Sequence, residues 1–227
     1  MVSRLEGSGV IGATVRRCSF LKRNPALTAE AFRHHYEHFH GPLAAGLPGF
    51  RKHALRYVQN HVEPRAGVEP PFDGITMTTQ VPRADYARGF FNEPDYEKVK
   101  DDELYLFDIG STVSVLAVMI DESPAPREGH KAVILAGAGW QEVDDLHMPG
   151  ARAHTLARID PASASALGFR GAAFAHRAMI ETWFETAEAR ELALDAAERQ
   201  FGAGAVAMPV REVLIYGPEK PWPIARR

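Results

Sequence analysis

The sequence contains one cysteine, Cys18, and no long run of apolar residues. A single cysteine excludes an internal disulfide, and a membrane-spanning helix needs roughly 18 to 20 consecutive apolar residues. Residues 1–12 also lack the apolar core of a signal peptide. We therefore expect a cytoplasmic protein that has no membrane partner.

Clusters of basic residues are absent as well. The chain has 26 Lys and Arg against 29 Asp and Glu, which gives a net charge of -3 over 227 residues. Nucleic-acid partners require a basic surface, so we expect a small hydrophobic molecule or another protein instead. With 45% hydrophobic residues, the chain can bury the core of one large domain or two smaller ones.

The sequence has an unusually high density of histidine in one region. Six of the ten histidines lie between His34 and His61. The imidazole is the side chain whose ordinary pKa lets it exchange protons near neutral pH. Proton chemistry is therefore the first functional hypothesis.

The first half predicts alternating strands and helices. Residues 14–21 predict a strand, and Thr28 is a typical cap for the helix that follows. Four apolar residues recur at spacings typical of one helix face: Phe32, Tyr36, Phe39 and Leu43. The sequence His40-Gly41-Pro42 is expected to bend or end this helix.

A second strand is predicted over residues 50–62, where alternation places five side chains on one face: His53, Leu55, Tyr57, Gln59 and His61. A third strand follows at 75–81, then a helical region at 84–106 that Pro94 interrupts, and a fourth strand at 112–120. The order β-α-β-β-α-β is the ferredoxin-like pattern.

The second half repeats the strand pattern. Strands are predicted at 130–137, 152–159, 179–184 and 206–216, with a helix at 187–201. A short pattern recurs at equal spacing in both halves: Pro48-Gly49-x-Arg51-x-His53-x-Leu55 and Pro149-Gly150-x-Arg152-x-His154-x-Leu156. We predict an α+β fold of two tandem ferredoxin-like repeats, packed as an intrachain α/β barrel. The repeats span 12–122 and 130–218, and the second lacks most of its first helix; the alternative is two unrelated domains.

Several motifs of the first half resemble the EthD family of dimeric α/β barrel proteins. They are Phe20-Leu21-Lys22-Arg23, Leu27-Thr28-Ala29-Glu30-Ala31-Phe32, Tyr36-x-x-x-His40-x-Pro42-Leu43, Arg56-Tyr57-Val58-Gln59-Asn60-His61-Val62, Asp73-Gly74 and Phe107-Asp108. The second half matches only at Trp183-Phe184-Glu185-Thr186-Ala187-Glu188. Tyr36 departs from the Trp that the family often has. The resemblance implies a pocket on the sheet face opposite the helices, and cofactor-free chemistry on small aromatic or polyketide-like compounds.

Three residues are the candidate catalytic groups: His40, Tyr57 and His61. His40 borders the apolar helix face and matches the His-x-Pro-Leu motif of the resemblance, whereas a capping role is the alternative. Tyr57 and His61 share a strand face; core and surface roles are their alternatives. The helix residues expected to contact substrate are His35, Tyr36 and Phe39. We assign His53 a structural role, because it recurs as His154.

The segment His34-His35-Tyr36-Glu37-His38 also fits the His-x-x-Glu-His pattern of inverted zinc peptidases. That site needs a third ligand on another helix and a larger domain. His34 and His38 are expected on the solvent side of the helix. We therefore expect no metal site.

These observations favour a cofactor-independent lyase, dehydratase or isomerase of catabolism or secondary metabolism. His40 would remove a proton from a carbon next to a carbonyl, and Tyr57 or His61 would polarise the oxygen. The alternatives are a cofactor-free monooxygenase and an accessory protein that binds a hydrophobic metabolite. The sequence leaves the oligomeric state open between a self-sufficient monomer and a homodimer.

Overall fold

The computed structural model describes residues 14–82, 89–137, 139–141, 148–167 and 174–221. Its eight strands form a closed antiparallel barrel in the order β1-β3-β2-β8-β5-β7-β6-β4. The strands are β1 (Val15–Leu21), β2 (Ala54–Val62), β3 (Gly74–Gln80), β4 (Val113–Glu122), β5 (His130–Leu135), β6 (Ala151–Asp160), β7 (Ala178–Phe184) and β8 (Val206–Tyr216). The helices are α1 (Ala29–His35), α2 (Gly41–Gly46), α3 (Pro48–His53), α4 (Glu97–Leu106) and α5 (Ala187–Phe201).

The two halves have the same strand order. In the first half β1 pairs with β3 and β4, and β2 pairs with β3. In the second half β5 pairs with β7 and β8, and β6 pairs with β7. The pairs β2–β8 and β4–β6 close the barrel. The predicted α+β class and the barrel are confirmed, whereas the repeat origin and the boundaries 12–122 and 130–218 stay predictions.

The barrel interior is filled. Alternate side chains of all eight strands form one apolar cluster that includes Phe20, Val115, Leu135 and Met179. On the outer face of the second half, Leu194 of α5 packs with Ile134 and Ile180. Helices α1, α2 and α4 and the segments next to them lie against the first half. This arrangement leaves a cavity between the first-half sheet and its helices.

The first helix does not end at His40. Thr28 caps α1 by accepting a hydrogen bond from the Ala31 amide, as predicted. The chain then makes a π-helical turn over Tyr36–His40, in which the Gly41 amide donates to the Tyr36 carbonyl, and continues into α2. Pro42 is tolerated because it lies in the first turn of α2, where the regular hydrogen-bond ladder is already interrupted.

The π turn changes which side chains face the sheet. Phe32 and Tyr36 are buried as predicted, but Phe39 is 55% exposed and His40 is only 5% exposed. An extra residue in the turn rotates all later positions by about 100° relative to a regular helix. His40 therefore takes the inward place that the regular periodicity assigned to Phe39.

The predicted strand at 50–62 begins late. Residues Pro48–His53 form α3, and β2 starts at Ala54, because a proline in the first turn favours a helix start. In the second half, β6 starts at Ala151, soon after Pro149-Gly150. The repeated motif therefore covers different elements in the two halves.

The region predicted as helical at 84–106 is shorter and more irregular than expected. It contains 3₁₀ turns at Gly89–Asn92 and Pro94–Tyr96, followed by α4, while residues 83–88 lie outside the described part. Pro94 opens a turn, so this interruption agrees with the prediction. Within the described ranges, no helix is long and apolar enough to cross a bilayer.

Candidate active site between the sheet and its helices

A cavity of about 70 Å³ lies between the outer face of the first-half sheet and the helices that cover it. Its walls are aromatic and its floor carries small hydroxyl groups. The aromatic residues are Phe50, Tyr57, Phe90, Phe91 and Phe107, and the hydroxyl groups belong to Ser19, Thr76 and Thr78. A mostly apolar lining with a few convergent polar groups is found in small-molecule sites, but this cavity is well below the roughly 300 to 1,000 Å³ of sites for drug-sized ligands, so it suits a small guest. The expectation placed the pocket on the opposite sheet face, which in the described residues carries the apolar cluster of the barrel interior, whereas this cavity lies on the helix side.

His40 and Asp102 form the central pair of this site. The π turn presents the His40 ring to the cavity, and its Nδ1 lies 2.8 Å from Oδ2 of Asp102 on α4. The second oxygen of Asp102 lies 2.6 Å from Nε2 of His35. Phe107 contacts the His40 ring edge to face, with 5.2 Å between centroids.

The pairing determines which nitrogen of His40 can react. Although burial raises the pKa of Asp102, the hydrogen bonds from His40 and His35 lower it below the ordinary value. An ionised carboxylate only accepts hydrogen bonds, so Nδ1 of His40 must donate. The lone pair of a neutral His40 is then on Nε2. Asp102 thus orients His40 as a base, in the way a carboxylate orients histidine in many active sites.

Glu103 adds a carboxyl group to the cavity wall. The Tyr96 hydroxyl donates a hydrogen bond of 2.6 Å to its Oε2. Burial raises the pKa of Glu103, and the nearby charge of His40 opposes this rise. A carboxyl group with a raised pKa is suited to donate a proton near neutral pH.

Tyr57 supplies the hydroxyl nearest the strand side of the cavity. Its side chain is 1% exposed, and burial raises the pKa of the phenol. The Gln59 amide donates a hydrogen bond of 2.9 Å to the Tyr57 oxygen. The phenol is therefore neutral and keeps its own hydrogen as a donor.

The sequence-predicted residues divide into two groups. His40 and Tyr57 line the same cavity. Tyr36 and His61 lie behind the wall, with ring centroids 5.1 Å apart, and Tyr36 bonds Thr76 at 2.6 Å. His61 does not line the cavity, so its direct contact with substrate is not supported by the geometry.

The two outer helix residues are placed differently from each other. His35 contacts the site only through Asp102. Phe39 points outward and stacks on the His35 ring at 5.2 Å between centroids. The expectation that Phe39 contacts substrate is wrong, because the π turn rotates it away from the sheet.

Sequence reasoning missed Glu103 and Arg17 of the cavity wall, and it missed Asp102, which bonds His40 from behind the wall. The Arg17 guanidinium lies 4.5 Å from the centre of the Phe91 ring. His53 also lines the cavity, and its Nε2 is 2.6 Å from Glu93. His154, its counterpart in the repeated motif, instead bonds Asp121 on β4, whereas His53 is the last residue of α3. The two histidines therefore have different surroundings, and their recurrence alone does not establish a shared structural role.

The histidine pair of the zinc-peptidase pattern lies away from the cavity. His34 and His38 are exposed, with ring centroids 4.8 Å apart. Within the described part of the chain, no three or more His, Cys, Asp or Glu side chains are grouped so that they could hold a metal ion.

His61 makes the stability sensitive to acid. Burial, followed by the charge of Arg211, lowers the pKa of His61 from 6.5 to about 4. As the pH falls, the unfolded chain binds a proton at this residue before the folded chain does, so stability is lost between pH 6.5 and 4. From pH 7 to pH 5 we expect His61 to account for a loss of about 2 kcal/mol in the free energy of unfolding.

Urea unfolding at pH 7, 6 and 5 measures this loss. The His61→Gln variant should show a shallower fall than the wild type, and the exposed control His34→Gln should fall as the wild type does. Equal pH dependence in His61→Gln and the wild type would show that His61 is not held neutral.

Comparison with known proteins agrees with the first-half motifs. The EthD domain family model matches residues 24–110, which confirms the resemblance for that part of the chain. A candidate monooxygenase from Lactobacillus acidophilus NCFM aligns over 89% of this chain and 95% of its own, with 7% identity and a TM-score of 0.51. A candidate chlorite dismutase aligns over 88% of this chain and 95% of its own, with 9% identity and a TM-score of 0.45. No curated protein matches the sequence significantly. At such low identity, the first structure shows a shared fold alone.

Proposed function

Residues 24–110 of this chain match the EthD domain family model, and from that premise we propose that the protein is an acid–base enzyme acting on a small apolar carbonyl compound. One observation carries the proposal. His40, oriented by Asp102, and Tyr57 face the same aromatic-lined cavity. The reaction type is that of a lyase, a dehydratase or an isomerase.

The proposed reaction begins at Nε2 of His40. This nitrogen takes a proton from the carbon next to the substrate carbonyl, and the electron pair of that C–H bond moves toward the carbonyl oxygen. Asp102 stabilises the resulting imidazolium. The Tyr57 hydroxyl donates a hydrogen bond to the oxygen on which negative charge develops.

The second proton transfer decides the product. If the substrate carries a C=C bond next to the deprotonated carbon and the imidazolium of His40 returns the proton at the far carbon of that bond, the double bond migrates and the substrate is isomerised. If Glu103 protonates a leaving hydroxyl group on the neighbouring carbon, water departs and a double bond forms. These side chains supply every proton transfer of either outcome, so the proposal includes no cofactor.

The walls of the cavity indicate the kind of substrate. Five aromatic rings surround it, and aromatic pairs favour stacked or edge-to-face contacts with a planar guest. We therefore propose an aromatic or polyketide-like ketone. Such a substrate agrees with a role in catabolism or secondary metabolism.

A cofactor-free monooxygenase is the second candidate. The same base could remove the proton of a phenolic substrate, whose anion would then react with oxygen; the aromatic walls suit such a substrate equally well. The structural neighbour described as a candidate monooxygenase adds only the fold to this argument.

A substrate screen tests the proposal. The purified protein is incubated with a panel of aromatic and polyketide-like ketones, while products are followed by mass spectrometry and oxygen by an electrode. We expect product formation without oxygen uptake. Oxygen uptake equal to product would favour the monooxygenase. Ligand binding without turnover, including a co-purifying compound, would favour an accessory binding protein.

A further inference from the structure

Gln59 lies at the junction of the two elements that carry the reactive groups. It is fully buried on β2. Its amide nitrogen donates to the Tyr36 carbonyl at 2.7 Å and to the Tyr57 hydroxyl at 2.9 Å. Its amide oxygen lies 3.2 Å from Nε2 of His61. The side chain thus contacts the π turn, the cavity wall and a buried histidine at once.

The chemistry of these partners determines the direction of every hydrogen bond. A backbone carbonyl can only accept, so the nitrogen of the Gln59 amide must face Tyr36. The amide oxygen then faces His61, which must donate from Nε2. The second N–H of Gln59 points at the Tyr57 oxygen, which accepts.

The hydrogen bond from Gln59 leaves the Tyr57 hydroxyl free to donate its own hydrogen to another group. Because its oxygen accepts from Gln59, the phenolic hydrogen points away from Gln59, on the side of Thr76 and the cavity. Thr76 is already bonded to the Tyr36 hydroxyl at 2.6 Å. Thr76 also forms a hydrogen bond with Tyr57, so a bound carbonyl oxygen would replace Thr76 as the partner of the Tyr57 hydroxyl once substrate is present.

Gln59 also supports the turn that presents His40. The Tyr36 carbonyl accepts from the Gly41 amide in the π turn and from Gln59. Contact at this point is close, since a Cβ on residue 41 would lie 2.8 Å from the Gln59 nitrogen. One side chain thus holds both the backbone of the His40 turn and the hydroxyl of Tyr57.

We infer that Gln59 is a positioning residue that aims the Tyr57 hydroxyl at the substrate oxygen, and that His61 acts only by fixing the Gln59 amide. The inference rests on the proposed function and deepens it. It removes His61 from the groups that contact substrate and leaves Tyr57 as the oxygen-polarising donor.

A substrate-independent readout tests the aim of the hydroxyl. In protein labelled with 3-fluorotyrosine, the Tyr57 fluorine signal is identified by its loss in Tyr57→Phe. We expect this signal to shift in Gln59→Met, which keeps the side-chain length without a donor. In Gln59→Glu the signal should shift in a different way, because a carboxylate would accept the Tyr57 hydrogen. The control Gln200→Met, whose native amide contacts Met148 in the second half of the chain, should leave the signal in place.

Kinetics test whether Gln59 acts through Tyr57. With any ketone turned over in the screen, we expect Gln59→Met to lower kcat by about 10-fold with little change in KM. The double variant Gln59→Met/Tyr57→Phe should be slower than Tyr57→Phe alone by much less than about 10-fold, because only the part of the Gln59 effect that acts through the His40 turn then remains. If Gln59→Met does not fold, as judged by circular dichroism, the same comparison is made with Gln59→Glu.

The outcomes separate the two proposals. An unmoved Tyr57 signal, or losses of kcat that multiply in the double variant, would overturn the inference even in an active enzyme. The signal of Tyr57 could instead move in Gln59→Met while the wild-type protein turns over none of the ketones. That result would overturn the proposed function and, with it, any role of Gln59 in that reaction.

Discussion

The His40→Ala variant is expected to turn over an aromatic ketone about 10²- to 10⁴-fold more slowly than the wild type, which is the usual contribution of a positioned general base. The ring is removed from the cavity wall, whereas the aromatic walls remain. The loss should therefore fall on kcat rather than KM. Steady-state kinetics measure it, and circular dichroism verifies that the variant folds.

Two further variants distinguish the roles of the groups around His40. In Asp102→Asn the amide can donate to Nδ1, which favours the wrong tautomer of His40, and we expect a loss of at least about 10- to 100-fold. His35→Ala leaves the His40–Asp102 bond in place and should have a much smaller effect. Unchanged turnover in His40→Ala would remove His40 from the mechanism.

Lys131→Met is expected to lower the free energy of unfolding by about 3 to 5 kcal/mol. Lys131 is 2% exposed in the barrel interior, where its ammonium group donates to Asn60, Glu181 and Glu212. Glu181 also accepts from Arg16 and Thr155. Without Lys131, the buried carboxylate of Glu181 loses one of its two cations.

Urea unfolding of Lys131→Met, measured beside two further variants, tests this prediction. The exposed pair Lys100–Glu97 provides the control, because Lys100→Met should change stability by less than about 1 kcal/mol. The triple variant Arg16→Met/Lys131→Met/Glu181→Leu removes the three most buried charges together, leaves the partly exposed Glu212 with Arg56, and should recover much of the loss. A triple variant as unstable as the single one would show that packing, and not an unpaired charge, causes the loss.

The stability that Glu181 contributes through Lys131 and Arg16 should fall in acid. Although burial raises the pKa of Glu181, Lys131 and Arg16 hold it well below its usual range. The carboxylate therefore stabilises the fold above the ordinary glutamate pKa, and this contribution is lost as the pH falls below that value.

Local features of the fold could be predicted because they depend on neighbouring residues. The Thr28 cap acts within one helical turn, and alternation along the strands correctly placed Tyr57, Gln59 and His61 on one face. The start of β2 was missed because Pro48 begins a helix, where the periodicity alone suggested a strand.

The candidate site was predicted only in part, for a geometric reason. A regular helix of 3.6 residues per turn places Phe39 inward, and the π turn exchanges it for His40. The π turn is stabilised by a hydrogen bond from Gln59, a residue of β2 that follows His40 by 19 positions in the sequence. Helical periodicity cannot show a bond from another element.

The acidic partners were missed because tertiary packing alone brings them to the histidines. Asp102 lies on a helix whose sequence is typical of a solvated, charged surface. Lys131 and Glu181 lie on strands that were predicted, but their ion pair forms across the barrel interior. Such pairings become visible only once the strand order is known.

Proton exchange at the substrate tests the central claim most directly, since the claim is that His40 removes a proton from carbon next to a carbonyl. A ketone identified in the screen is incubated in deuterium oxide with the wild type or with His40→Ala, and mass spectrometry measures deuterium at that carbon. We expect rapid incorporation with the wild type and incorporation near the uncatalysed rate with the variant. Equal incorporation with both proteins, or product formed by the wild type without cleavage of that C–H bond, would contradict the proposed mechanism.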